Sequence, residues 1–62
     1  MTPAEIREAR QTLGLSQAEF AAAIGYGHGH RVSELERGVR SPSRAVEMLI
    51  QRLIAEATEV GK

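Results

Sequence analysis

The sequence predicts one all-α domain of four or five helices, and three observations support this fold class. Apolar residues recur at three- and four-residue spacings throughout the chain, as on the buried face of a helix. No segment alternates between apolar and polar residues with the two-residue period of a strand. Only two of the 62 residues are aromatic, although strands are enriched in aromatic residues.

The first predicted helix has signals at both ends. Thr2 can cap its N-terminus, Pro3 suits the first helical position, and Glu5 completes a capping box with Thr2. Three apolar residues then fall on one face: Ile6, Ala9 and Leu13. Gly14 ends the helix, because glycine readily adopts the left-handed conformation that often follows a helix.

The second helix, predicted over residues 17–24, follows almost at once. Ser16 and Glu19 form another capping box, and Gly25 ends the helix. Its buried face consists of Phe20, Ala21 and Ile24. A helix of about eight residues is not stable in isolation, so this one must pack on its neighbours.

A glycine-rich turn leads to the third helix, predicted over residues 29–37. The turn resembles a phosphate-binding glycine loop, but no strand precedes it, which excludes that interpretation. Val32 and Leu35 are three residues apart and share the buried face, and Gly38 ends the helix. The polar residues that then point outward are His30, Arg31, Ser33, Glu34 and Arg37.

The fourth helix is the longest, predicted over residues 42–58. Ser41 is its predicted cap, and Pro42 occupies its first turn. Its apolar residues continue at helical spacing: Ala45, Val46, Leu49, Ile50, Leu53, Ile54, Ala57 and Val60.

Length and composition exclude several classes of protein. A chain of 62 residues has little volume for a desolvated catalytic pocket, and no nucleophile–base–orienter set is evident, so we expect no enzyme. Without cysteine, and with only His28-x-His30 as a ligand pair, neither a metal nor a cofactor is expected. The longest apolar run is five residues, too short to span a membrane, and a cytoplasmic location is expected.

The charges are unevenly distributed, although the net charge is zero. Residues 25–44 carry a charge of +2 and both histidines, whereas residues 1–24 and 45–62 each carry −1. A basic band between acidic flanks favours a polyanion as the partner.

Two short helices joined by a glycine-containing turn, with one helix before and one after, are typical of a helix-turn-helix domain. Four segments carry a resemblance to a known family: Leu13-Gly14-Leu15-Ser16-Gln17-Ala18-Glu19-Phe20-Ala21, Ile24-Gly25, Val32-Ser33-Glu34-Leu35-Glu36-Arg37-Gly38 and Ser41-Pro42-Ser43. With these segments the chain resembles the Cro/CI-type (xenobiotic-response-element-like) helix-turn-helix family over roughly residues 5–55. It departs from the family pattern by one extra residue before the third helix and by the absence of the usual capping Ser or Thr there.

The resemblance implies a compact, lambda-repressor-like domain that binds double-stranded DNA as a dimer, with the third helix in the major groove. It also implies that Gln17 clamps a phosphate and braces the third helix. Arg10 and Glu36 are implied to form a structural salt bridge rather than DNA contacts. Short members of this family are typical of bacteria and phages and often repress their own promoters, which implies a nucleoid-associated regulator.

Candidate DNA contacts follow from the outward face of the third helix and its surroundings. The candidate base contacts are His30, Arg31, Ser33 and Glu34. Arg31 can donate two hydrogen bonds to guanine, His30 can donate to a base or a phosphate, and Glu34 can accept from cytosine. Glu34 could instead pair with Arg31 or Arg37 within the protein. The candidate contacts to the DNA backbone are Gln17, His28, Arg37, Arg40, Ser41, Ser43 and Arg44.

The fourth helix is expected to extend past the other three, which cover it only as far as about residue 53. Val46, Leu49 and Leu53 would then face the core. The apolar residues left partly in water would be Ile50, Ile54, Ala57 and Val60. An exposed apolar patch of this kind marks an interface, so we predict that it pairs two copies of the chain.

The function predicted from the sequence is that of a sequence-specific transcriptional regulator, most simply a dimeric repressor at a pseudo-palindromic operator. No small-molecule effector is expected at this size. The alternative is a protein-interaction module, such as an antitoxin or an accessory subunit. Such a module would present apolar residues on the outward face of the third helix, where this sequence has polar ones.

Overall fold

The computed structural model describes the backbone of residues 1–60 and the side chains of residues 1–58. Four helices follow one another: α1 (Pro3–Leu13), α2 (Gln17–Ala23), α3 (Gly29–Glu36) and α4 (Arg44–Val60). Within this part of the chain there is no strand, so the fold is all-α, as the spacing of the apolar residues predicts. None of the helices described is both long enough and apolar enough to cross a bilayer.

The predicted capping boxes close the starts of α1 and α2. The Thr2 hydroxyl accepts a hydrogen bond from the Glu5 amide at 3.1 Å, and the Thr2 amide donates to the Glu5 carboxylate at 2.7 Å. Ser16 and Glu19 make the same two bonds at 3.1 and 2.8 Å. The bond from the backbone amide of Thr2 or Ser16 favours the charged carboxylate, which lowers the pKa of Glu5 and Glu19.

The start of α3 has no such cap. His28 occupies the N-cap position in an extended conformation, but its side chain makes no capping hydrogen bond. Gly29, the first residue of α3, packs against the start of α2. A Cβ atom at position 29 would lie 3.0 Å from the backbone nitrogen of Ala18 and 3.2 Å from its Cα. A glycine therefore allows the two helix starts to approach each other closely.

α4 begins at Arg44, so the predicted start at Pro42, with Ser41 as the cap, is wrong. Ser43 provides the cap instead, because its hydroxyl accepts from the Val46 amide at 3.2 Å. A serine directly before the first turn reaches a free amide of that turn. Ser41 and Pro42 consequently lie in the connection between α3 and α4.

Side chains from all four helices, together with the residue that ends α2, form one core: Ile6, Ala9, Phe20, Ala21, Ile24, Val32, Leu35 and Ile50. Ile50 is 0 % exposed, so the prediction that it lies in the exposed stripe of α4 is wrong. The rotation of α4 about its own axis explains the difference. Ile50 points directly into the core, with Leu53 and Ile54 half-buried on either side of it.

The far end of α4 extends beyond this core. The domain measures 36 × 19 × 18 Å, and 17 helical residues alone span about 25 Å. Ala57 lies on the same helix face as Ile50 and Ile54 but is exposed. The side chain of Val60, the last residue of the predicted stripe, lies outside the described residues.

Candidate nucleic-acid interface

Buried residues fix the orientation of α3. Val32 and Leu35 are 0 % and 1 % exposed and pack into the core against the other helices. Three polar side chains of α3 and its C-cap are exposed: His30, Arg31 and Arg37. Ser33 and Glu34 are only half-buried, although the sequence predicts that both point outward. The most accessible candidate base contacts are therefore in the first turn of α3.

Glu34 is engaged within the protein, and its partner is Arg40. The Arg40 Nε donates to Glu34 Oε1 at 3.1 Å, which joins α3 to the connection that follows it. The His30 Nε2 lies 3.8 Å from the other carboxylate oxygen. Among the described residues, neither Arg31 nor Arg37 pairs with Glu34, so the partner differs from the two that the sequence suggests. The Glu34 carboxylate offsets part of the charge of Arg40.

A second carboxylate, Glu36, joins the end of α3 to both preceding helices. The Arg10 Nε donates to Glu36 Oε2 at 2.6 Å, and the Arg10 Nη2 donates to Oε1 at 3.3 Å. The side-chain amide of Gln17 donates through Nε2 to the same Oε1 at 3.3 Å. The Arg10 Nη1 also donates to the Leu15 carbonyl at 3.0 Å. The two charged side chains are only 17 % and 8 % exposed. The structure therefore contains the Arg10–Glu36 pair that the resemblance implies, and a hydrogen bond joins Gln17 to the end of α3.

The sequence alone indicates no role for Tyr26, but the structure places it beside the candidate base contact Arg31. The Cζ atom of Arg31 is 6.0 Å from the centroid of the Tyr26 ring, at the outer limit of a cation–π contact. The ring is half-buried and packs against the core. An aromatic residue five positions before an arginine is visible in the sequence, but only the geometry of the intervening turn brings them together.

The two histidines also lie side by side at the start of α3. The rings of His28 and His30 are stacked, with centroids 6.1 Å apart and an angle of 27° between the planes. Both side chains are exposed. Within the described part of the chain, no group of three histidine or acidic side chains could hold a metal ion.

The candidate backbone contacts fall into two groups. Three already make hydrogen bonds within the protein: Gln17 to Glu36, Arg40 to Glu34, and Ser43 to the start of α4. The other four are exposed: His28, Arg37, Ser41 and Arg44. This second group provides two arginine charges, one at the end of α3 and one at the start of α4, and Arg40 of the first group is also exposed.

Comparison with known proteins identifies the family. A profile described as helix-turn-helix matches residues 6–46, about two-thirds of the chain. The matched segment includes most of α1, all of α2 and α3, and the start of α4. No curated protein and no solved structure was found to match the chain. The chain therefore belongs to the Cro/CI-type helix-turn-helix family of DNA-binding transcriptional regulators.

Proposed function

We propose that two copies of this chain bind a pseudo-palindromic operator and act as a repressor, each placing α3 in the major groove. A dimer on the operator would exclude polymerase from an overlapping promoter. The promoter of its own gene is the proposed target, because a repressor that binds its own promoter responds directly to its own concentration.

The observation that carries this proposal is the polar first turn of α3. His30 and Arg31 are exposed there, while Val32 and Leu35 hold the opposite face in the core. Recognition helices contact base edges chiefly through their N-terminal residues. A surface for another protein would carry apolar side chains at these positions, so the polar turn supports DNA as the partner.

The proposed contacts differ in how directly each residue reaches DNA. Arg31 donates to guanine O6 and N7, and His30 donates to a base acceptor or a phosphate. Ser33 and Glu34 are half-buried and have a smaller share of the base contacts. The proposed backbone contacts are His28, Arg37, Ser41 and Arg44, with Gln17, Arg40 and Ser43 reaching phosphates beside their internal partners.

The proposed dimer forms through the exposed end of α4. Ile54 is half-buried and Ala57 is exposed on one face of the helix, and Val60 continues that face by its position in the sequence. Ile50 is excluded, because it is fully buried within its own chain. A small domain buries a limited share of its apolar surface, so association would stabilise it. A two-fold axis near this end would place the two α3 helices about 34 Å apart, one turn of DNA.

Sedimentation velocity and selection from a random DNA pool test this arrangement together. We expect a dimer at micromolar concentration and selected sequences with two inverted half-sites about one helical turn apart. Ile54→Glu should give a monomer with weaker operator binding. Ala55→Glu, which adds the same charge at an exposed position on another face of α4, is the matched control and should remain dimeric.

Three results would overturn the proposal: a wild-type monomer at high micromolar concentration, selected DNA without an inverted repeat, or an intact Ile54→Glu dimer. A reporter gene placed behind the selected operator should also be repressed by the wild type. Activation of that reporter would contradict the role of repressor.

A further inference from the structure

We infer that Tyr26 is a positioning residue for base recognition, because its ring holds the Arg31 guanidinium at the start of α3. The inference rests on the proposed function, in which Arg31 contacts a base. It adds a residue that lies outside α3 and outside the set of direct DNA contacts.

The Tyr26 ring has a fixed place in the fold. Its amide donates to the Ala21 carbonyl at 2.8 Å, which ties the residue to the end of α2. The preceding Gly25 has a φ of 82°, a left-handed conformation that glycine adopts without strain, and this turns the chain toward α3. The ring is half-buried against the core. The end of α2 and the core therefore set the position of the Tyr26 ring.

Contact with a ring leaves the hydrogen-bonding groups of Arg31 available. An aromatic face attracts a guanidinium through its quadrupole and uses none of the five N–H donors. Arg40 is held differently, since its Nε–H donates to Glu34 and the carboxylate offsets its charge. Arg31 keeps both the charge and the paired donors that a two-bond contact to guanine requires.

If the Arg31 guanidinium is already held against the ring before DNA binds, discrimination between bases should improve. A free arginine side chain loses much rotamer freedom when it binds, and one already held against a ring has less to lose. A cation–π contact at an exposed site changes an equilibrium by about two- to fivefold. We expect Tyr26 to increase the preference for the base read by Arg31 by about this factor.

The test compares wild type, Tyr26→Phe, Tyr26→Leu, Arg31→Ala and the double variant Tyr26→Leu/Arg31→Ala. Affinity is measured on the selected site, on its single-base variants and on random DNA. Tyr26→Leu should lose about two- to fivefold in discrimination at one base pair and bind random DNA like the wild type. Tyr26→Phe keeps the ring and should keep the discrimination, and in the Arg31→Ala background Tyr26→Leu should change nothing further.

Two outcomes would overturn the inference. One is an equal loss on selected and random DNA, which would indicate a general structural role for Tyr26. The other is an undiminished effect of Tyr26→Leu in the Arg31→Ala background. If Tyr26→Leu fails to fold, Tyr26→Met provides the same ring-free comparison with a flexible side chain that fills irregular space.

NMR of the free protein separates this inference from the proposed function. The ring current should shift the Arg31 side-chain protons in the wild type and in Tyr26→Phe, and the shift should disappear in Tyr26→Leu. If DNA is selected but these shifts are the same in Tyr26→Leu, only the role of Tyr26 fails. If the wild type selects no DNA sequence, the proposed function fails, and the positioning role fails with it.

Discussion

Two carboxylates in the C-terminal half of α3 (residues 33–36) bond to three other parts of the fold. The N-terminal half (residues 29–32) instead presents hydrogen-bond donors to solvent. In the C-terminal half, Glu36 bonds to Arg10 of α1 and Gln17 of α2. Glu34 bonds to Arg40 in the connection to α4. These bonds join α3 to α1, α2 and the connection to α4, and they help to set the angle at which the helix lies.

The N-terminal half has fewer polar contacts: among the described residues, its one ionic contact is from His30 Nε2 to Glu34 at 3.8 Å. His30 and Arg31 are exposed, and the N-cap residue His28 makes no capping hydrogen bond. The support for this half is packing: Val32 in the core and Gly29 against the α2 backbone. Packing contacts leave polar donors free, whereas ion pairs use them.

Orientation and the proposed recognition are therefore separated along one short helix. Substitution of Glu36 in the C-terminal half should act first on folding stability, because it leaves the partly buried charge of Arg10 without its partner. Substitutions in the N-terminal half should act first on DNA discrimination.

Removing Glu36 should have the largest effect, and this effect should be a loss of folding stability. Glu36→Ala leaves the Arg10 guanidinium, 17 % exposed, without its carboxylate, and the free energy of unfolding should fall by about 3 kcal/mol. Glu56→Ala is the matched control, because it removes the exposed pair with Arg52, which contributes no more than about 0.5 kcal/mol. Chemical denaturation measures both variants. Equal losses would show that the Arg10–Glu36 pair does not hold α3.

An added methyl group at position 29 should come next. The Cβ of Gly29→Ala would press on the Ala18 backbone, so we expect a loss of about 1–3 kcal/mol in stability and weaker DNA discrimination. Gly27→Ala is the control, because its Cβ would meet nothing within 4 Å and the change should stay within about 0.5 kcal/mol. Thermal unfolding that is the same for both variants would contradict the close approach of α2 and α3.

A better cap for α3 should have the smallest effect, and it should be favourable. His28→Ser places a hydroxyl at an N-cap that lacks a side-chain bond, and stability should rise by about 0.5–1 kcal/mol. His30→Ser, inside the helix, is the control and should give no gain. Affinity for the selected site should not increase with stability, because the substitution also removes the proposed backbone contact of His28. No gain from His28→Ser would place the start of α3 elsewhere.

Local signals in the sequence predicted the parts of the fold that depend on near neighbours. The capping box of Thr2 and Glu5 lies within four residues, so its two bonds can be read from residue types alone. The buried pair Val32 and Leu35 follows from helical spacing in the same way. Both depend on backbone geometry that is the same in every helix.

Other features depend on where whole elements lie, and the sequence could not predict them. The rotation of α4 decides that Ile50 is buried, and spacing alone allows several rotations. Glu34 pairs with Arg40 rather than Arg31 because the connection after α3 folds back past it. The Tyr26 ring meets Arg31 for a similar reason, since the turn between them sets their distance.

The affinity profile of Arg31→Ala tests most directly the claim that the first turn of α3 reads bases. Wild type and variant are measured on the selected site, on each single-base variant of it and on random DNA. Arg31→Ala should lose about 1–3 kcal/mol on the selected site, lose its preference at one base pair and bind random DNA like the wild type. A uniform loss on all sequences would contradict the account and make Arg31 a contact to the DNA backbone.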